Sequence, residues 1–187
     1  FQVAFSKHFT IKVMEEMSAS QRHRLIGVDY RRARVANEDD VTELEISMGR
    51  YIQHKLVEFE EIPQVKDGIV KVGARAIRVP GYEFEGAVSD VPGKLQDQAS
   101  SQAGTWIFAS RCGRFDAHHA ACSIGKNITK WTMDDDTKIL RLVKYFMGTA
   151  AKVVMLRTCR RDFKEKTLCF TIFSDADHGG DRRDRKS

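Results

Sequence analysis

Apolar residues are interspersed with polar ones over residues 25–35 and again over 41–46, on either side of the polar stretch 36–40, which predicts a β-hairpin with Leu44 and Ile46 on one face. The period then changes. Met48, Ile52, Leu56 and Phe59, with Tyr51 beside them, recur at spacings of three and four, so residues 48–60 are predicted to form an amphipathic helix that stops before Pro63. No period survives from Glu60 to Gln102. Pro63, Pro80-Gly81, Pro92-Gly93 and Ser100-Ser101 mark turns, and the stretch reads as an extended connection.

Residues 105–122 are rich in Ala and aromatics and broken near Cys112-Gly113, the pattern of two short helices. The clearest helix follows. Thr132 caps it and Asp135, three residues on, completes a capping box, while Asp134 and Asp136 add negative charge at the positive end of the helix dipole. Ile139, Leu142, Val143 and Phe146 make its apolar stripe, Lys138, Arg141 and Lys144 point elsewhere, and Gly148 is expected to end it. Residues 152–157 and 168–173 are short apolar runs joined by a charged loop, which predicts a terminal β-hairpin. Its second strand is apolar on both faces, as in a strand covered on both sides, and runs into Ser174-Asp175-Ala176-Asp177. The class is therefore α+β.

Charge sharpens the picture because it is divided along the chain. Residues 1–100 carry 14 basic and 16 acidic side chains, whereas residues 101–187 carry 17 and 10. A basic half suits an anionic partner, nucleic acid first. No run of apolar residues is long enough for a bilayer span, so no membrane partner is expected. The four cysteines are far apart and no secretory signal precedes them, which predicts free thiols in a reducing compartment. The chain starts at Phe1 and stops within a charged run, and is expected to be a segment of something longer.

Three groups of residues have candidate chemistry. Asp175 stands where an apolar strand emerges, as a rigid carboxylate must if it is to help hold two divalent ions, although an acidic turn closing a strand has the same pattern. Cys112, His118, His119 and Cys122 are possible zinc ligands by type, with His119 and Cys122 able to share a helix face, but their spacing lacks a C-x-x-C pair and no zinc is expected. Lys138, Arg141 and Lys144, and separately Tyr30, Arg31 and Arg32, place basic groups near aromatics in a way that suits a phosphate backbone, or simply a solvated face. No P-loop, dinucleotide glycine pattern or nucleophile elbow is present.

Taken in order, the motifs resemble the copia-type LTR retrotransposon Pol polyprotein where reverse transcriptase runs into ribonuclease H. Leu25-Ile-Gly-Val-Asp-Tyr30 is similar to the family's FLGIEI strand, and Ile46-Ser-Met-Gly-Arg-Tyr-Ile52 to its ISQ-x-x-YI segment. Residues 104–116, ending Arg114-Phe-Asp116, resemble VGSLLYL-x-x-x-TRPD, and residues 138–149 resemble AAKRILRYLKGT. Residues 173–187 are similar to YSDADWAGDRDDRKS almost throughout. Phe115 stands where the family has Pro, and His178-Gly179 where it has Trp-Ala.

The resemblance implies the end of a reverse transcriptase over residues 1–62, with a primer-grip-like hairpin and a thumb-like helix. An extended connection over 63–103, a helical connection over 104–150 and the first strands of an incomplete ribonuclease H-like sheet over 151–187 would follow. It implies that Asp175 is the first of four metal-binding carboxylates, that Mg²⁺ serves the complete parent enzyme, and that none binds this segment tightly. The polymerase Y-x-D-D is absent from the chain. Implied partners are an RNA–DNA hybrid or primer–template duplex and the rest of the polyprotein, in the cytoplasm within a virus-like particle or in the nucleus. The expected segment is inactive alone; a binding or scaffolding module without catalysis, and a non-functional remnant, are the alternatives.

Overall fold

A computed structural model describes residues 22–34, 41–78 and 89–159, together with positions 80, 161 and 165. Three strands open it: β1 (Arg22–Leu25), β2 (Val28–Arg34) and β3 (Val41–Ser47). The expected hairpin is present as β2 and β3, antiparallel, with Tyr30 opposite Ile46 and Arg32 opposite Leu44. Its first arm is shorter than the pattern predicts, because the chain turns at Ile26-Gly27 and folds back as β1. Both turn residues have positive φ, 48° and 77°, the geometry that matches the twist of antiparallel strands. A β-branched residue seldom occupies such a turn, which is why Ile26 gave no warning of it.

The helix α1 (Gly49–Glu60) follows immediately, close to its predicted bounds. Met48, Ile52 and Phe59 are fully buried, and Tyr51 and Leu56 pack at the margin of the same core. The stretch expected to be extended contains a short helix, α2 (Pro63–Lys66), whose leading proline lies in the first turn where no N–H is required. It also contains the start of α3 (Ala99–Cys112), so Ser100 and Ser101 are helical rather than a turn. Ala99, Ala103 and Trp106 share the buried face of α3, and burial of that face outweighs the turn preference of two serines. The predicted break at Gly113 is present, followed by a 3-10 turn at Phe115–Ala117 and by α4 (His118–Gly125).

The capped helix is α5 (Met133–Thr149), and the Asp135 carboxylate accepts both the N–H and the hydroxyl of Thr132 at 3.0 Å. Ile139, Leu142, Val143 and Phe146 are all buried, as their spacing predicts. Gly148 does not end the helix. It is helical, Thr149 is the last residue, and φ at Gly148 is not positive. Glycine is needed there because the 73–76 backbone crosses α5: Ala76 N–H donates to the Lys144 carbonyl at 2.9 Å, and a Cβ on Gly148 would overlap the Ala76 carbonyl.

The last described strand, β4 (Val153–Cys159), pairs antiparallel with β3 from Val41 opposite Cys159 to Ser47 opposite Val153. The result is one four-stranded antiparallel sheet in the order β1-β2-β3-β4, with the helices against one side of it. Val28, Tyr30 and Ile46 face those helices, and Trp106 stacks on Phe146 with ring centroids 5.1 Å apart in the helical core. The expected pairing of residues 152–157 with 168–173 involves a segment outside the described residues, as do Asp175 and the acidic turn around it. Among the described residues no helix is long and apolar enough to cross a membrane.

Candidate nucleic-acid interface

Strand alternation sets Arg22, Arg24, Asp29, Arg31, Glu43, Glu45 and Arg157 on the side of the sheet opposite Val28, Tyr30 and Ile46. Arg22 and Arg31 are cross-strand partners, a like-charge pair that would weaken the ladder if left alone. Glu45 relieves it. Arg31 Nη2 donates to Glu45 Oε2 at 2.7 Å, and Arg22 Nη2 lies 3.6 Å from Oε1. Arg24 and Arg50, the latter from the first turn of α1, flank the Asp29 carboxylate at 3.8 and 3.6 Å, and Arg157 lies 3.6 Å from Glu43.

Five guanidinium groups thus meet three carboxylates, and they are layered. The Asp29 and Glu45 side chains are only 8% and 12% exposed, whereas the five arginine side chains are 43–61% exposed. Positive charge forms the outer layer over a buried negative one. In the pairs 3.6–3.8 Å apart the arginine is exposed and beyond hydrogen-bonding distance, so these four guanidiniums can meet an incoming phosphate while staying beside the carboxylates they neutralise.

Of the basic residues singled out in the sequence, Arg31 belongs to this layer. Tyr30 does not; it is half-buried against the helical core on the other side, and Arg32 is exposed on that side, opposite Leu44. Arg22, Arg24, Arg50 and Arg157 were not legible as a group, because three different elements, β1, α1 and β4, bring them to Arg31. The expected stripe on α5 is interrupted. Arg141 is exposed, but Lys138 is half-buried with Nζ 3.4 Å from Asp135 Oδ1, and the Lys144 side chain lies beneath Gly73 where the 73–76 segment crosses.

A second polar cluster lies between the start of β4 and the end of α3. Arg114, 2% exposed, pairs with Asp116 and donates to the Thr149 carbonyl at 2.9 Å and the Thr149 hydroxyl at 2.8 Å. Its guanidinium carbon sits 4.9 Å from the Phe146 ring centroid. Tyr145 donates its hydroxyl proton to Asp116, and Lys152 Nζ donates to Tyr145 at 3.1 Å. Burial acts to raise the Asp116 pKa, but hydrogen bonds from Arg114 and Tyr145 and the charges of Arg114 and Lys152 outweigh it and hold the carboxyl below its ordinary value.

The acidic run at the head of α5 is structural. Asp134, Asp135 and Asp136 are all buried, not solvated charges on the dipole. Asp136 accepts Lys94 N–H at 2.6 Å, Leu95 N–H at 3.1 Å and the Trp131 indole N–H at 2.7 Å, while Asp134 accepts Ser89 N–H at 3.0 Å. These bonds bind the 89–95 segment to the helix. On α4 His118 meets Cys122, with Sγ 3.6 Å from Nε2, and Ser110 Oγ lies 3.0 Å from His118 Nδ1. Among the described residues no three or more His, Cys, Asp or Glu side chains are arranged to hold a metal ion, and Cys112, Cys122 and Cys159 are free thiols.

Comparison with protein families, with curated proteins and with solved structures finds no match for this chain.

Proposed function

We propose that this chain is the part of a copia-type LTR retrotransposon polyprotein in which reverse transcriptase passes into ribonuclease H, and that it grips a primer–template or RNA–DNA hybrid by its phosphate backbone. The observation that carries the gripping role is the layered sheet face, with the half-exposed Arg22, Arg24, Arg31, Arg50 and Arg157 over largely buried carboxylates. The family reading is supported by the order of the sequence motifs, from Leu25–Tyr30 through Arg114-Phe-Asp116 to the Asp175 segment. The α+β layout of hairpin, helix, helical layer and returning strand is compatible with both. The terminal hairpin that would begin a ribonuclease H-like sheet belongs to this proposal too.

The segment has neither activity alone. It lacks Y-x-D-D, and a single carboxylate, Asp175, cannot hold two Mg²⁺ ions. In the complete parent, Mg²⁺ would supply the charge that activates water and steadies the leaving oxygen; Asp175 lies outside the described residues.

The test is hybrid binding by the purified chain at 50 and 200 mM salt. Four or five phosphate contacts weaken affinity by roughly 150- to 500-fold over that range, and Arg22→Ala or Arg157→Ala each lower the slope by about one. Affinity that does not change with salt overturns the grip. Cleavage of the RNA strand by this chain, abolished by Asp175→Asn, overturns the absence of activity.

A further inference from the structure

Beside β4 the chain exposes an aromatic ring that packing does not require. Phe115 is 58% exposed, whereas Trp106, Trp131, Tyr145 and Phe146 of the helical layer are buried. Phe115 borders a half-open cavity of about 260 Å³, lined also by Gly113, Arg114, Asp116, Lys152, Val153 and Val154. That volume falls just short of the roughly 300–1,000 Å³ of pockets for drug-sized molecules, so the space suits one planar ring rather than a whole nucleoside phosphate. Its walls are apolar on the Phe115 and valine sides. At the rim Lys152, with its side chain 53% exposed, is held by Tyr145 and lies 3.9 Å from Asp116. With Arg114 the local balance is one positive charge in excess, which tolerates a phosphate beside the cavity. Val153 shares one face of β4 with Arg157, whereas Val154, opposite Ile46, is on the helix-facing side, so the cavity sits at the β4 end of the described sheet, between its two faces.

We propose that this cavity receives a single unpaired nucleobase, stacked on Phe115 with its adjoining phosphate on Lys152, so that the chain holds a single-stranded stretch next to the gripped duplex. The inference rests on the nucleic-acid reading above and adds a ligand to it. An aromatic face accepts any base, and removing such a ring weakens binding by roughly 5- to 150-fold per base. Phe115 opens the 3-10 turn Phe115–Ala117 and its side chain is mostly in solvent, so replacing it leaves the buried Arg114 and Ala117 in place.

The experiment measures binding of the full chain to a fluorescent single-stranded oligonucleotide of about 12 nucleotides, a length within single-strand site sizes, and to a blunt RNA–DNA hybrid. Phe115→Ala is expected to weaken single-strand binding by roughly 5- to 150-fold and to change hybrid binding less than about twofold. Phe115→Trp is expected to restore it, and Lys152→Gln to lower the single-strand salt slope by about one. If Phe115→Ala binds the single strand like the parent, or loses hybrid affinity equally, the stacking platform is wrong while the duplex grip stands. A parent chain that binds neither nucleic acid removes both.

Discussion

Arg114 and Asp116 clamp one another across a single intervening residue: Nε donates to Oδ1 and Nη2 to Oδ2, each at 3.0 Å. The guanidinium is buried, so it depends on this carboxylate for neutralisation as well as geometry. Through Thr149 and Tyr145 the same pair ties the turn after α3 to the last turn of α5. Asp116→Asn keeps the shape and removes the charge, and should cost about 2–3 kcal/mol of stability, read from urea unfolding at neutral pH. A loss under about 0.5 kcal/mol would mean that Thr149 alone satisfies Arg114.

The same pair makes stability depend on acid. The Asp116 pKa is lower in the folded chain than the ordinary value of 3.8, so its contribution is fully present above that value and disappears as pH falls through the folded one. Urea midpoints measured at pH 7 and at about pH 3 should therefore bring the parent and Asp116→Asn closer together on acidification. A gap of constant width would assign the loss in the variant to something other than ionisation.

Two helical glycines should answer the same substitution with opposite signs. Gly104 on α3 is exposed and a Cβ there meets nothing, so Gly104→Ala should gain about 0.5–1 kcal/mol from helix propensity. Gly148 on α5 lies under the Ala76 carbonyl, and Gly148→Ala should lose about 1–3 kcal/mol by forcing the 73–76 segment away. Thermal melts of the two variants read the difference. Stabilisation by Gly148→Ala would place that segment off the helix.

Asp136 satisfies three donors, two of them on the 89–95 segment. Asp136→Ala should lose about 3–5 kcal/mol, since the freed Leu95 and Trp131 N–H groups stay buried, and Asp136→Asn, which keeps one acceptor oxygen, should lose less. Trp131 emission, followed during urea unfolding, should shift in the alanine variant before the global transition. An alanine variant within about 1 kcal/mol of the parent would show that water replaces the carboxylate.

Elements whose pattern is local were readable from the sequence. The α1 stripe, the Thr132–Asp135 cap, the break at Gly113 and the strand now called β4 follow from spacing and residue type alone. What was not readable came from contacts between distant segments. The helical start at Ala99 is decided by a buried face that two serines disguise, and the role of Gly148 by a backbone 72 positions earlier in the chain. The turn at Ile26-Gly27 has the usual glycine at its second position, but Ile26 at the first disguises it. For the candidate interface, Arg31 was visible because it follows an aromatic in a predicted strand. Its companions were not, since β1, α1 and β4 each contribute separately and only sheet register brings them together.

The pairing of β3 with β4 joins residues 41–47 to residues 153–159, more than a hundred positions apart. During synthesis the outer edge of β3 emerges from the ribosome long before its partner strand does. Closing that ladder is a high-contact-order step, and its loop-closure entropy must be met before the seven new residue pairs offer any return. The helical layer between them has local contacts and can form first, bringing the start of β4 near its target. Folding of this chain should therefore be gated by its last described strand, and until that strand docks the nascent protein presents an open β edge on which chaperones or other copies can act.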